Sequence, residues 1–309
     1  MFTDRLAEVI QTRIHRPEAI AEAAAGRVRP ASLIGPDGCL VLIAADHPAR
    51  GALRAGSERL AMADRARLLE RVCIALSRPG VHGVLGTADI LEDLLLLGAL
   101  DDKVVIGSMN RGGLAGTIFE IDDRFTGYDA AAIERMGFDG GKMLLRIAPD
   151  DPATAPTMHA CAQAVNELAS RRRLVMIEPF ISHRVDGRVR NDLSPEAMIR
   201  AITVASGLGT TSAYTWLKIP VVAEMEQVIA ASTLPALLLG GEVPQDPGTA
   251  FAGWRSALQL PNVKGIVAGR SLLYPPDGDV AAAVDTAVDM AASLVPRPLT
   301  DLTPAKESS

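Results

Sequence analysis

Residues 39–48 read Cys39-Leu40-Val41-Leu42-Ile43-Ala44-Ala45-Asp46-His47-Pro48. The first seven are an unbroken apolar run, the pattern of a strand buried on both faces of a parallel sheet. The next three separate the common parallel folds. An open doubly wound sheet usually carries a glycine-rich dinucleotide turn after an early strand. Here the run leads into Asp46-His47-Pro48, with no such turn. Similar runs recur at Val81–Thr87, Lys103–Ser108, Gly141–Ile147, Arg173–Ile177, Ala213–Ile219, Pro235–Gly240 and Val263–Ala268. Amphipathic helical patterns lie between them. Arg59–Ser77 places Leu60, Ala63, Ala66, Leu69, Val72, Cys73 and Leu76 on one side and arginines on the other. Thr154–Arg172, Ser194–Gly207 and Asp279–Leu294 read the same way, and Ser194-Pro195 is an N-cap followed by proline at the first helical position. Eight strands starting between Cys39 and Val263 repeat about every 32 residues. That spacing suits βα units and predicts an α/β fold, a single closed (β/α)8 (TIM) barrel.

The rest of the 309 residues is arranged around that barrel. Residues 1–38 predict an N-terminal helical extension covering the bottom, residues 39–295 the barrel, and residues 296–309 a polar tail ending Lys306-Glu307-Ser308-Ser309. The longest connection, Met109–Tyr128, follows the third strand, and a loop of that length is usually functional or carries its own small structure. Hydrophobic residues make up 48% and charged residues 22%, which excludes intrinsic disorder. A net charge of −6 gives no electrostatic reason to expect nucleic acid as a partner. The charged N-terminus is no secretory signal. The apolar run Ile90–Leu100 is too short for a bilayer and contains Glu92 and Asp93, so no membrane is expected. Cys39, Cys73 and Cys161 show no metal-ligand or pairing spacing and read as buried thiols of a cytoplasmic protein.

A barrel of this kind carries its active site at the C-terminal ends of the strands. The polar residues there are Asp46 after the first strand, Asn110 and Arg111 after the third, and Lys142 and Arg146 on the fourth. Glu178 ends the fifth strand, Lys218 lies within the sixth, Gly240, Gly241 and Glu242 follow the seventh, and Gly269 and Arg270 follow the eighth. Lys218 is the sharpest signal, set in the apolar stretch Tyr214-Thr215-Trp216-Leu217-Lys218-Ile219-Pro220. Only five of the 31 basic residues are lysines, so this chain seldom uses lysine for solubility. Burial and a second nearby cation both lower a lysine's pKa and produce the free amine that attacks carbonyls. Lys142 is placed to be that cation, and Glu178, between them, to hold one lysine charged and move protons. The alternative is a buried ion-pair network of Lys218 and Lys142 with Glu178 and Asp46.

Gly240-Gly241 and Gly265–Arg270 offer backbone N–H groups where this fold often binds phosphate, although such glycines also serve tight turns. Asn110 and Arg111 suit a carboxylate or second anion, or equally a loop turn. Tyr128 is a proton donor or a packing ring. His47 is a candidate metal ligand, but the other histidines, His15, His82, His159 and His183, show no ligand spacing, so no metal is expected.

Taken together, several segments resemble the Schiff-base (class I) aldolase superfamily of deoxyribose-phosphate, archaeal-type fructose-bisphosphate and tagatose-bisphosphate aldolases. They are Ala45-Asp46-His47, Gly140-Gly141-Lys142-Met143-Leu144, Ile177-Glu178-Pro179, Trp216-Leu217-Lys218-Ile219-Pro220, Leu239-Gly240-Gly241 and Gly265–Arg270, in that order from about residue 39 to 290. The resemblance implies that Lys218 forms the Schiff base, that Lys142, Glu178 and Asp46 assist, and that Gly240, Gly241, Gly269 and Arg270 hold phosphate. It implies a phosphorylated sugar as small-molecule partner, no cofactor beyond the covalent lysine, and a homo-oligomer. The His47-Pro48 that follows Asp46 departs from the glycine usual in several relatives. The segment Met109–Leu114 through Phe119–Tyr128 resembles an actinobacterial branch found with myo-inositol catabolism proteins. That implies cleavage of 6-phospho-5-dehydro-2-deoxy-D-gluconate to dihydroxyacetone phosphate and malonate semialdehyde. The alternatives are another class I aldolase, a barrel enzyme without a Schiff base such as a thiolase-like acyl transferase, and a sugar-phosphate-binding protein.

Overall fold

The computed structural model describes residues 2–35, 38–111, 113–241 and 247–292. The polar tail, Gly112 and Glu242 lie outside the described residues. Strands β1 (Leu40–Ala44), β2 (Gly83–Gly86), β3 (Val104–Ser108), β4 (Gly140–Ile147) and β5 (Leu174–Val185) are followed by β6 (Arg188–Asp192), β7 (Thr215–Ile219), β8 (Ala236–Leu239) and β9 (Val263–Ala268). All but β6 are parallel, in the order β4-β3-β2-β1-β9-β8-β7-β5, and pairing of β4 with β5 closes the eight-stranded barrel. Each expected apolar run is one of these strands.

Side chains alternate along every strand, so each strand splits its residues between two packings. Leu40, Leu42 and Ala44 of β1 face inward with Leu85, Val104, Ile106, Leu174, Met176, Leu237 and Val267, an apolar plug filling the barrel axis. The alternate residues Val41 and Ile43 pack outward with the helices. Those include α3 (Arg65–Leu76), α4 (Ala88–Leu96), α5 (Ala130–Arg135), α6 (Thr154–Ser170), α7 (Pro195–Ser206), α8 (Met225–Ala230), α9 (Pro247–Ala257), α10 (Arg270–Leu273) and α11 (Val280–Ala292). Ser194 caps α7 as expected, its Oγ accepting from Ala197 N. α3 begins later than its apolar periodicity suggests, because Asp64 caps it by accepting from Arg67 N at 3.0 Å.

Two elements differ from the sequence reading. The N-terminal extension is two helices, α1 (Phe2–His15) and α2 (Ala19–Gly26), and they lie against outer helices. Arg13 pairs with Glu92 and Asp93 of α4 at 3.1 and 2.8 Å. The chain after α2 is what crosses the bottom. Arg27 donates to Lys103 O and Gly137 O, each at 2.7 Å, and Leu33 packs onto the apolar plug. The second difference is the fifth strand, which continues past Glu178 to Val185 and turns back as β6 in an antiparallel hairpin. Asp186 and Gly187 make the turn at φ of 50° and 74°, the two positive angles of a type I′ connection.

Candidate active site

The inward-facing positions turn polar toward the C-terminal ends of the strands. Asp46, Ser108, Lys142, Glu178 and Lys218 each continue the inward parity of the apolar residues below them, so burial of their charge follows from strand periodicity. The register sets their heights. Lys142 pairs with Met176, Met176 with Trp216, and Leu144 with Glu178. Lys142 therefore sits at the level of Trp216, one inward step below Lys218 and Glu178, about 7 Å along the strands.

Lys218 Nζ lies 3.0 Å from Glu178 Oε1, and Lys142 Nζ ion-pairs with Glu178 Oε2. Lys142 also lies 3.4 Å from Asp46 Oδ2, which ion-pairs with Arg111 and accepts from Ser108 Oγ at 3.3 Å. Arg111 Nε in turn donates to Ser108 Oγ at 2.9 Å. Two carboxylates thus face three basic groups in one largely buried cluster. Only two positive charges are needed to balance them, and the third group is most cheaply carried as a neutral amine.

Burial and the Arg111 guanidinium hold Lys142 well below the usual lysine range, against the opposing pull of Glu178. Burial also lowers Lys218; Glu178 raises it, and the charges pressing it down are Arg111 and Arg270. Glu178 is held well below the carboxylate range by Lys142 and Lys218, which outweigh its burial. Arg111 is lowered by burial to about 10.

Above these groups opens a cavity of about 730 Å³. Asp46, Glu178 and Lys218 line it, together with Arg111, Gly240, Gly241, Gly269 and Arg270. Lys142 lies beneath and Asn110 outside. The Asn110 side chain is wholly buried and clamps β4 instead, donating to Leu144 O at 2.6 Å and accepting from Leu144 N at 2.7 Å. Tyr128 is a packing ring, edge-on to Phe138 at 5.6 Å between centroids. Among the described residues no group of three His, Cys, Asp or Glu side chains is placed to hold a metal ion.

The two glycine-bearing strand ends meet at one wall. A Cβ on Gly240 would press on Ser271 Oγ and on Ala268, and one on Gly269 would collide with Ala44 O of the neighbouring strand and lie 3.1 Å from His47 Cε1. Gly265 serves the same close strand packing, because a Cβ there would collide with Leu40.

Several wall residues have a role that sequence reasoning missed. Arg146 is buried and bidentate on Asp123 at 2.8 Å through each pair, and it also bonds Glu120. It thereby pins the long connection after β3 over the mouth. Gly113 packs against that pair, since a Cβ there would collide with Glu120 O and meet Arg146 Nη2 at 2.6 Å and Asp123 Oδ1 at 2.7 Å. Arg50 donates to Gly113 O at 3.1 Å and lines the same side. Phe180, Arg190 and Asn191 come from the β5–β6 hairpin. Asp186-Gly187 between two alternating stretches was the readable signal for that hairpin.

The crystal structure of Cgl0159 from Corynebacterium glutamicum is similar over 93% of this chain and 97% of that one, with 53% identity and a TM-score of 0.91. An archaeal fructose-1,6-bisphosphate aldolase, with its catalytic Lys covalently bound to the carbinolamine intermediate of its substrate, aligns over 88% of this chain and 99% of its own, at 16% identity and a TM-score of 0.64. A fructose-bisphosphate aldolase from Slackia heliotrinireducens aligns over 87% of both chains, at 16% identity and a TM-score of 0.59. At that identity the two aldolases share the barrel fold. No curated protein sequence matches the chain. The Cgl0159-like family model matches residues 38–288, and the chain belongs to the Cgl0159-like family.

Proposed function

We propose that this protein is a Schiff-base (class I) aldolase acting on a phosphorylated keto sugar or keto sugar acid, with Lys218 as the attacking amine. One observation carries the reading. Lys218 is a buried lysine on the cavity wall, with Glu178 at 3.0 Å and lowered toward the free amine by burial, Arg111 and Arg270. The barrel shared with fructose-bisphosphate aldolases is consistent with it.

Neutral Lys218 attacks the substrate ketone, and the carbinolamine loses water to an iminium. Glu178 or Asp46 removes the proton of the β-hydroxyl group. The C–C bond breaks, its electron pair enters the iminium as an enamine, and an aldehyde departs. The enamine takes a proton at carbon, and water hydrolyses the resulting iminium to release the ketone and the free amine. Lys142, deeper and out of the cavity, contacts Glu178 and Asp46 and fixes where both carboxylates lie. Arg111 does the same for Asp46. The phosphate rests on Gly240, Gly241, Gly269 and Arg270 and supplies orientation away from the reacting bond.

Within that class the resemblance of Met109–Tyr128 favours 6-phospho-5-dehydro-2-deoxy-D-gluconate, cleaved to dihydroxyacetone phosphate and malonate semialdehyde. The test is incubation with dihydroxyacetone phosphate, reduction with sodium borohydride and peptide mass spectrometry. The expected adduct is on Lys218, and Lys218→Ala should lose both adduct and turnover while keeping its fold. An adduct on Lys142 would exchange the lysine roles. Folded protein that binds the phosphate yet yields no adduct would instead support a binding protein or a barrel enzyme without a Schiff base.

A further inference from the structure

We propose that His47 is a ligand of the anion held at the β8 and β9 ends, and that it takes up a proton when a dianion binds. The inference rests on the phosphate reading above. His47 lines the cavity with its imidazole against Gly269, and its Nδ1 is buried with no hydrogen-bond partner. The nearest acid to that nitrogen is Asp46 Oδ1, at 3.7 Å. Unpaired buried polar atoms are costly and uncommon. The ring sits against the β9 end beside Arg270, which lines the same cavity. A tetrahedral dianion has enough acceptor oxygens to satisfy an imidazole N–H and the Arg270 guanidinium together.

The charges around His47 set the proton linkage. Arg270 at the start of α10, Lys218 on β7 and Lys142 on β4 press it toward neutral, Glu178 on β5 opposes them, and burial adds the largest push downward. A dianion between His47 and Arg270 cancels much of that positive field. Its arrival therefore raises the imidazole's proton affinity, and binding tightens as pH falls.

Sulfate is the probe, because it stays a dianion across the range whereas phosphate changes charge near neutrality. Calorimetric titration between pH 8 and pH 6 should show sulfate binding strengthening as pH falls, by up to about tenfold per pH unit for one proton. The His47 ring resonances should move toward imidazolium on sulfate addition. His47→Gln should flatten the pH profile. A profile unchanged in His47→Gln, with wild-type ring resonances that do not move, overturns the role of His47 and leaves the phosphate reading standing. If Arg270→Ala weakens binding of neither sulfate nor dihydroxyacetone phosphate, the phosphate reading fails and this inference falls with it.

Discussion

The chemistry at Lys218 is set by opposing neighbours, and each can be removed. Burial, Arg111 and Arg270 lower its pKa, whereas Glu178 raises it. In the proposed mechanism the neutral amine attacks, so kcat/KM should rise with pH through the Lys218 pKa of the free enzyme. In Glu178→Gln the upward pull is gone, and the acid limb should move to lower pH. The same variant loses a proton acceptor, so its plateau should drop by about 10² to 10⁴. In Arg270→Gln the limb should move to higher pH. A pH–rate profile of both variants checks the sign, and limbs that stay in place would mean that another group titrates there. The core of this cluster is legible in the amino-acid sequence alone. A charged residue inside an apolar run must face the interior of a closed barrel, and Asp46, Lys142, Glu178 and Lys218 all do. His47 is not legible there as a neighbour of the phosphate loops, because a histidine without a spaced partner carries no pattern and only the fold brings it against Gly269.

The connection after β3 and the β5–β6 hairpin make the walls of the mouth. The first is held by the buried Arg146–Asp123 pair, whose members are 3% and 0% exposed. Asp123→Ala leaves the guanidinium with Glu120 alone, at 3.4 Å, and losing one partner of such a buried pair costs about 3 kcal/mol. Chemical denaturation should register that loss, and hydrogen exchange should rise in residues 113–127 before the barrel strands. Equal protection in variant and parent would detach the loop from Arg146. Arg190, on the hairpin, makes no ion pair among the described residues and lines the cavity, so Arg190→Ala should raise KM several-fold with little change in Tm. The hairpin escaped the sequence reading for a physical reason. Glu178-Pro179 looks like the end of a strand, since proline cannot donate to a ladder on both sides. Beyond Ile177, however, β5 keeps β4 as its parallel neighbour and has left β7, so a residue without an N–H is tolerated there. The eight barrel strands were readable because burial on both faces leaves an uninterrupted apolar run. The hairpin, polar on its exposed face, leaves none.

Across the whole molecule, stability and chemistry sit at opposite ends of the barrel. Arg27 ties the bottom together through Lys103 O, Gly137 O and Asp139, the last at 3.6 Å. Arg27→Ala should cost about 3 kcal/mol, through lost hydrogen bonds to a charged donor and a weakened buried pair. It should leave kcat per folded molecule intact, and urea titration alongside steady-state kinetics separates the two effects. The same end carries Leu33 against the apolar plug, and that closure bears on traffic. With the axis packed shut below Lys142, fuel and waste share one doorway at the strand ends. Under the proposed cleavage, one fragment stays tethered to Lys218 while the other is loose. The queue at the door is then fixed: the loose aldehyde leaves first and the tethered ketone last. Each turnover ends only when the tether is cut, so the ketone product should compete directly with incoming substrate, while the aldehyde should not.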